Sequence, residues 1–523
     1  MTSPPSRSRS HTGVRVAHAV LGAMAAVGWL VLPVTGAGHT HRAHAPRPAL
    51  AAGHVTRAVE PDKQTSTGDL LLPLLAVGAA VALATYAFVR RTRRARTRTT
   101  PGGGGEPVVA SEELDRQGRR FLVEVDDCVR TSTEELGFVV GWLGEAAARP
   151  FTQALEDARG ELAAAFRLRQ ELDDAADEVS DDERRALLKQ IVARCAEAGW
   201  RLDEEAPAFD GLRELEREPT GALEFAEARF RQVNGRVRGA EATLGELRGR
   251  YGPSACLPVA GHVEQAKDRL MFATEQLGRA RQAVVEGDHG ETAVHLRAAE
   301  GSVHQADVFV TGVDRLATEL ATAEERLPAV LTEVETALGE GGPPRDRFAA
   351  TTVADVRREV AVVPYDPLDA LRRLARAAAA LGGSLPGRYA ADLLDGALLT
   401  ARSALTAAIG FVTTHRAAVG SQARTRLAEA ERHFALAQES SSLTEARSAD
   451  LLAHEAQRLA WQDVRSYGNP YAGPFGGGLA GALLGGVLLG EAPGDRGAPR
   501  GPACFGGPAT RGRRGTGGRG GPF

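Results

Sequence analysis

Lysine is nearly absent from this chain of 523 residues, and its scarcity removes one class of enzyme. Only three lysines stand beside 60 arginines, and none of them lies in the glycine and Ser/Thr pattern of a phosphate-binding loop. The sequence therefore excludes nucleotide hydrolysis of the P-loop type.

Other short catalytic and metal-binding motifs are missing as well. The chain has no G-x-S-x-G elbow, no H-E-x-x-H sequence and no cysteine with a plausible local histidine signature. We therefore expect a protein that is not an enzyme, with no catalytic, cofactor-binding or metal-ligating residue and no cofactor.

Aromatic residues and cysteines are also scarce. Aromatic residues make up 5% of the chain, so the folded part must consist of helices rich in alanine and leucine. The cysteines lie far apart without a C-x-x-C motif, which predicts unpaired thiols in a reducing compartment. They are Cys128, Cys195, Cys256 and Cys504.

The most informative segment that is present is an uncharged, mostly apolar run at residues 70–89, followed by six arginines between positions 90 and 98. At about 1.5 Å per residue the run is about 30 Å long, which matches the hydrocarbon core of a bilayer. Clustered arginine marks the cytoplasmic flank of such a helix. We predict a transmembrane helix at 70–89 in the cell membrane, with the C-terminal region in the cytoplasm.

The N-terminal residues 1–38 have a basic start, an apolar run and then small residues, which predicts an export signal. The pattern leaves open whether the signal is cleaved or kept as a first membrane helix. In either case residues 39–69 form a short extracytoplasmic linker, rich in His, Pro and Ala, that we expect to be unfolded.

Charge is divided sharply along the chain. Residues 1–110 hold 13 basic and 4 acidic residues, residues 471–523 hold 6 and 2, and the stretch between holds 44 and 61. A body with a net charge of −17 repels nucleic acid and anionic headgroups. We therefore expect no nucleic-acid partner, and the membrane, self-association or other membrane proteins as partners.

The helical period dominates residues 111–470, after a basic, Gly-rich juxtamembrane linker at 90–110. Leu188, Ile191 and Cys195 belong to one amphipathic stripe, and Ser180 with Glu183 forms a capping box before it. We predict an all-α cytoplasmic region of long antiparallel, coiled-coil-like hairpins. Breaks are expected near Pro150, Pro219, 251–261, 341–344 and 381–386.

Part of the helical region repeats. The segment that begins at residue 266 resembles the one that begins at residue 423, with Ala273 matching Ala430 and Ala280 matching Ala437. In both copies a polar turn and a second Ala-rich helix follow. Two copies of a helical hairpin indicate a body built by duplication.

Residues 471–523 are rich in glycine and arginine. The run at 476–490 contains seven glycines, is short for a membrane span and disfavours a stable helix in water. We predict a disordered tail, with contact to a membrane or to another tail as an alternative.

Three features could bind ligands, and each has a simpler explanation. The histidines at the external linker could bind Zn²⁺ or Cu²⁺, but nothing there folds around them. An acidic run at 173–183 lacks the spacing of a calcium loop and is explained as a solvated turn. The tail arginines resemble an RNA-binding segment, but only two phenylalanines accompany them. The histidines are His39, His41, His44 and His54, and the tail arginines are Arg511, Arg513, Arg514 and Arg519.

Four stretches in the body carry a family resemblance. They are GELAAAFRLRQ at 160–170, DPLDALRRL at 366–374, AVGSQARTRLAEA at 418–430 and DVRSYGNPY at 463–471. Their order after a membrane helix resembles the C-terminal half of actinobacterial TPM-domain membrane proteins, over roughly residues 70–523.

The resemblance implies a membrane anchor, cytoplasmic helices and a tail, but no biochemical activity. In that family a TPM domain of well over a hundred residues follows the export signal, whereas only about 30 residues separate the predicted signal from the predicted span here. We therefore expect a membrane-anchored, non-enzymatic scaffold or self-assembling protein that presents an acidic helical bundle. The alternatives are a paralogue that lost the TPM domain and regulates TPM-containing relatives by mixed oligomerisation, and an enzyme without a recognisable motif.

Overall fold

The computed structural model describes much of the chain after residue 110, and these parts belong to one unit at Gly105–Phe523. The described residues are 111–175, 179–213, 215, 219–340, 347–362, 364–381, 390–467, 481–482, 484–487 and 505. The predicted signal, linker, transmembrane helix and juxtamembrane segment, residues 1–110, lie outside them.

The described residues form helices and turns and contain no strand, so the predicted all-α class is confirmed. The helices are α1 (Ser111–Leu143), α2 (Glu145–Asp174), α3 (Asp181–Arg213), α4 (Pro219–Arg250), α5 (His262–Glu286), α6 (His289–Glu340), α7 (Arg347–Val360), α8 (Pro367–Ala380), α9 (Ala390–Thr414), α10 (Ser421–Ser440) and α11 (Leu443–Tyr467). Two short helical turns, Pro253–Cys256 and Leu257–Val259, join α4 to α5.

The helices form three groups, each with its own apolar core. Helices α1 to α3 enclose the first core, α4 to α8 contribute most of the second, and α9 to α11 enclose the third. The third core is built mainly from alanine, which lets its helices approach closely. Side chains of Leu188, Ile191 and Cys195 are buried in the first core, which confirms the predicted stripe on α3.

Helix α6 shows the strongest coiled-coil character of the described residues. Buried side chains repeat along it every seven residues and again three residues after each of these positions, as in a heptad seam. At 52 residues it is about 78 Å long and contacts α4, α5, α8 and α9. The two rows are Ala306, Val313, Leu320, Leu327 and Val334, and Phe309, Leu316, Ala323 and Val330.

The breaks predicted at Pro219 and 251–261 are confirmed, whereas the break between Val360 and Pro367 was not predicted and the break predicted near Pro150 is wrong. The break there falls at Gly144, whose φ of 84° is open to glycine and strained for other residues, while Pro150 lies inside α2. The proline removes one backbone hydrogen bond from the helix, and burial of Phe151 and Leu155 in the first core outweighs that loss.

The predicted hairpin repeat is present as α5–α6 and α10–α11. Each first helix ends on a left-handed residue, Gly287 at φ 74° and Ser441 at φ 52°. Each second helix begins with a side-chain cap: Glu291 N donates to Asp288 Oδ1 at 3.0 Å, and the backbone N of Glu445 donates to Ser442 Oγ at 3.3 Å. The two turns therefore have the same backbone conformation but are built from different residues.

One helix in the described part is long and apolar enough to cross a membrane, Ala391–Thr414 within α9. About half of its most apolar window is buried against other helices, and it contacts α6, α8, α10 and α11. A central helix of a packed bundle needs the same hydropathy, and packing accounts for the apolar face of α9.

Candidate functional site

Buried arginines join the three helix groups. Arg424 at the start of α10 is 1% exposed and donates to Asp126 and Asp127 of α1, with a distance of 2.7 Å to Asp127 Oδ1. It also donates to the carbonyls of Val419 and Arg416 at 3.0 and 2.7 Å. One guanidinium therefore satisfies both carboxylates and the loop between α9 and α10.

The charge on Arg424 acts on the two carboxylates differently. Burial by itself raises the pKa of Asp126, but Arg130 and Arg424 outweigh burial and lower it below its usual value. For Asp127 burial dominates and raises the pKa in spite of Arg424. The pair shares one arginine, and Asp126 holds the more strongly stabilised negative charge.

Two further buried arginines repeat this arrangement. Arg416 donates to Glu134 of α1 at 3.0 Å, and Arg213 at the end of α3 pairs with Glu300 of α6 and lies 3.7 Å from Glu135. Burial raises the pKa of Glu300 to about 7, and neighbouring Glu135 adds to this effect against Arg213. The first helix group is therefore fastened to the other two through ion pairs out of contact with solvent.

Part of the glycine-rich tail is docked in the body. Residues 481–482 and 484–487 lie against α5 and α6, where Gln305 Nε2 donates to the carbonyl of Gly485 at 2.7 Å. A Cβ on Gly485 would lie 2.1 Å from Gln305 Oε1, and a Cβ on Gly481 would lie 1.6 Å from Arg269 Nη1. Only glycine fits at these two positions, which are four residues apart on one face of a helical turn.

The docked segment is also held by the loop that follows α9. The backbone N of Ala417 donates to the carbonyl of Leu484 at 3.2 Å, and Arg416 donates to the carbonyl of Gly486 at 3.4 Å. Ala482 and Leu484 are buried.

Phe505 is a second docked residue of the tail. Its ring is fully buried in the first core, stacked on Phe209 with centroids 4.7 Å apart and set edge-on to Phe151 at 5.9 Å. Its backbone N donates to Ser132 Oγ at 3.1 Å. For residues 481–482, 484–487 and Phe505 the structure differs from the predicted disordered tail, because buried side chains fix these parts. The remaining tail, including its arginines, lies outside the described residues.

An apolar groove of about 920 Å³ is lined by the turns between α4 and α5 and by residues of α6, α8, α9 and α11. Three large apolar side chains in it face solvent: Leu257 is 70% exposed, Leu451 57% and Trp461 51%. Trp461 stacks on Phe411 of α9 with centroids 4.9 Å apart. Such a cluster of exposed apolar side chains is typical of an interaction surface.

Two arginines at the rim of the groove, Arg376 and Arg458, have no carboxylate partner within the described ranges. Arg372 beside them is paired with Asp450, at 3.0 Å, and with Asp369. Asp366 lines the groove as well, so its lining holds three arginines and three aspartates around apolar side chains.

A second cavity, of about 640 Å³, lies between α1, α2, α9 and α10. It is lined by the Asp126–Arg424 pair and by Arg130, with an apolar floor that includes Phe166 and Leu427. Sequence analysis identified neither cavity, because their walls come from helices hundreds of residues apart.

The ligand features predicted from sequence lie elsewhere. Within the ranges that the structure describes, no group of three or more His, Cys, Asp or Glu side chains could hold a metal ion. The external histidines are outside these ranges. In the acidic run, Asp173 accepts from Arg169, Asp174 accepts from Gln170 at 2.9 Å, and Glu183 forms the predicted capping box with Ser180.

Two of the predicted unpaired thiols can be placed. Cys195 and Cys256 are buried free cysteines, and burial raises the pKa of Cys195 to about 12. A thiol with that pKa is inert as a nucleophile at neutral pH.

The chain is similar to UPF0603 proteins from two strains of Mycobacterium tuberculosis, CDC 1551 and H37Rv. Each is 32% identical over 393 residues, which cover 70% of this chain and 59% of the relative. This chain thus spans about three fifths of the length of the curated relatives that it matches. No family model and no solved structure matches it. The similarity supports an actinobacterial relationship, and the TPM assignment stays a prediction.

Proposed function

We propose that this protein is a non-enzymatic scaffold that is anchored in the cell membrane and self-associates through its cytoplasmic helical body. The observation that carries the proposal is the apolar groove with Leu257, Leu451 and Trp461 exposed together. Exposing these side chains to water in a monomer is unfavourable by about 25 cal/mol for each Å² of apolar surface, and a partner removes that penalty.

A second copy of the chain fits the groove. Trp461 lines the groove and is half exposed, so a two-fold arrangement can bring the grooves of two copies together and bury both indoles. The three arginines and three aspartates that line the groove balance one another, so two copies can meet there without net charge repulsion.

The experiment compares two exposed tryptophans in the full chain. We expect the wild-type protein in detergent to form dimers in analytical ultracentrifugation, and Trp461→Glu to raise the dimer dissociation constant at least tenfold. Trp200→Glu is the matched control, because Trp200 is 53% exposed on α3, away from the groove. A monomeric wild-type protein, or equal dimerisation by both variants, would overturn self-association through this groove.

Membrane anchorage rests on the apolar run at 70–89 and the arginines that follow it. Proximity labelling in native cells tests anchorage and partners together, with the labelling enzyme fused after Phe523 and an anchored control that carries residues 1–105 alone. We expect cytoplasmic proteins that the control does not label. Labelling restricted to this chain and TPM-containing relatives would favour mixed oligomerisation instead.

A further inference from the structure

The 640 Å³ cleft between α1, α2, α9 and α10 combines an apolar floor with paired charges. Its volume lies within the range of small-molecule sites, about 300–1,000 Å³. The larger apolar lining side chains come from four helices. They are Val129, Leu162, Phe166, Ile409 and Leu427.

Most charged groups on α1 at the cleft are neutralised by direct partners. Asp126 accepts from Arg130 at 2.9 Å and from Arg424, and Glu134 accepts from Arg416 at 3.0 Å. Arg130 also donates to the hydroxyl of Thr413, at 3.1 Å.

The arginines on α2 and α10 are engaged as well. Arg159 donates to Glu156 and, at 2.7 Å, to the hydroxyl of Thr133. Arg432 donates to Glu429 one turn away on α10. Each guanidinium at the cleft therefore already has a carboxylate partner.

Glu431 on α10 differs from all of these groups. It lines the cleft, its side chain is open to solvent, and no hydrogen bond or ion pair joins it to another described residue. The lining residues and their direct partners comprise five arginines and six carboxylates, so Glu431 supplies the one unbalanced negative charge.

The surroundings of Glu431 raise its pKa, mainly because protein atoms replace water around it, although Arg130 and Arg159 act in the opposite direction.

We propose that this cleft binds a small organic cation with an apolar body, with a primary ammonium group against the Glu431 carboxylate. The alkyl part of the ligand packs on Leu162, Phe166 and Leu427. The ammonium donates hydrogen bonds to the carboxylate, which is the acceptor that the cleft leaves unused. This site is distinct from the groove at Trp461, and its occupation does not depend on self-association.

Three probes with the same six-carbon body and different charge test the proposal on the full chain: hexylammonium, hexanol and hexanoate. Isothermal titration calorimetry should show binding of hexylammonium, weaker binding of hexanol and the weakest binding of hexanoate. Glu431→Gln, which keeps the side-chain shape, should weaken hexylammonium at least tenfold, as expected for losing a hydrogen bond to a charged group, and leave hexanol unchanged.

Two further variants keep the test decisive. Glu439→Gln removes an exposed carboxylate from the same helix outside the cleft and should leave all three affinities unchanged. Ala163→Leu narrows the cleft from α2 while leaving Glu431 in place, and should weaken hexylammonium and hexanol together. Hexanoate binding more tightly than hexylammonium, unchanged hexylammonium affinity in Glu431→Gln, or no binding of any probe would each overturn the proposal.

Discussion

Two residues at corresponding turns, Gly287 and Ser441, show that different residue types can adopt the same backbone conformation. Gly287 and Ser441 both adopt a left-handed conformation that ends a helix, but only glycine does so without strain. Nothing lies within 4 Å of a Cβ placed on Gly287, so the conformation alone decides what a substitution does there.

Exchanging the residue types at these turns should shift stability in opposite directions. We expect Gly287→Ala to destabilise the protein by about 1 kcal/mol, and Ser441→Gly to stabilise it by about 0.5 kcal/mol after the greater unfolded-state entropy of glycine is included. Urea denaturation followed by circular dichroism measures both changes. Shifts of the same sign would contradict the explanation by backbone strain.

The buried side chain of His415 makes the free energy of unfolding depend on pH, and the sign of this dependence follows from the direction of its pKa shift. It is 7% exposed, its Nδ1 lies 3.1 Å from the carbonyl of Phe411, and its pKa is lowered from 6.5 to about 4, chiefly by burial and further by nearby Arg269 and His262. Between these values the unfolded chain binds the proton and the folded chain does not, so acidification favours unfolding.

The stability lost through His415 between pH 6.5 and about 4 should amount to about 3 kcal/mol. We expect the stability difference between wild type and His415→Gln to change by roughly this amount between pH 7 and pH 4, in favour of the variant at low pH. Urea titrations at both pH values measure it, with His454→Gln, which alters an exposed histidine on α11, as control. A difference that does not vary with pH would refute the assignment.

At the scale of elements, sequence patterns predicted the features that depend on contacts between residues close together in the chain. The stripe on α3, the capping box at Ser180 and the α5–α6 and α10–α11 hairpins follow from spacings of three to seven residues, which any helix must respect. No local spacing predicts that Arg424, in the second copy of the repeat, is buried, because an arginine on a helix surface ordinarily faces solvent. Its partner Asp126 is 298 residues away.

The docked tail segment is the element whose structure was predicted least well from amino-acid composition. Seven glycines in fifteen residues disfavour an isolated helix, and that argument treats the segment as if it were alone in water. Gly481 and Gly485 are instead required by the close approach of Arg269 and Gln305. A spacing of four residues between them was the available signal, and it becomes informative only when the opposing surface is known.

Adding a methyl group to the docked segment should release it. We expect Gly485→Ala to destabilise the docked state by about 1–3 kcal/mol, because the new Cβ would overlap the buried Gln305 side chain. Faster hydrogen exchange of the Ala417 amide, which donates to Leu484, reports the release. In the matched control Gly245→Ala, on an open face of α4, the substitution should be neutral or stabilising.

At the scale of the whole molecule, apolar cores lie within the helix groups and buried ion pairs lie between them. Removing one partner of such a pair leaves an uncompensated charge away from water. The connection between the first and third groups should therefore be the most sensitive to single substitutions at Arg424 and Arg416.

Arg424→Met should cost about 3–5 kcal/mol and uncouple the groups, because Asp126 and Asp127 lose their shared partner. We expect its urea denaturation to separate into two transitions, the first from α1 to α3. Arg458→Met, which alters an exposed arginine, should stay within about 0.5 kcal/mol of wild type with the wild-type profile. A single unshifted transition for Arg424→Met would contradict the role given to the ion pairs.

The first core is complete only after Phe505 has been synthesised, because the Phe505 ring is part of it. The ring that fills the space between Phe151 and Phe209 is made after every described helix, so α1 to α3 leave the ribosome with a vacancy in their core. A chain that stops before residue 505 keeps that vacancy and exposes apolar surface to proteases and chaperones. The tail therefore distinguishes copies whose first core is complete from copies that end before residue 505.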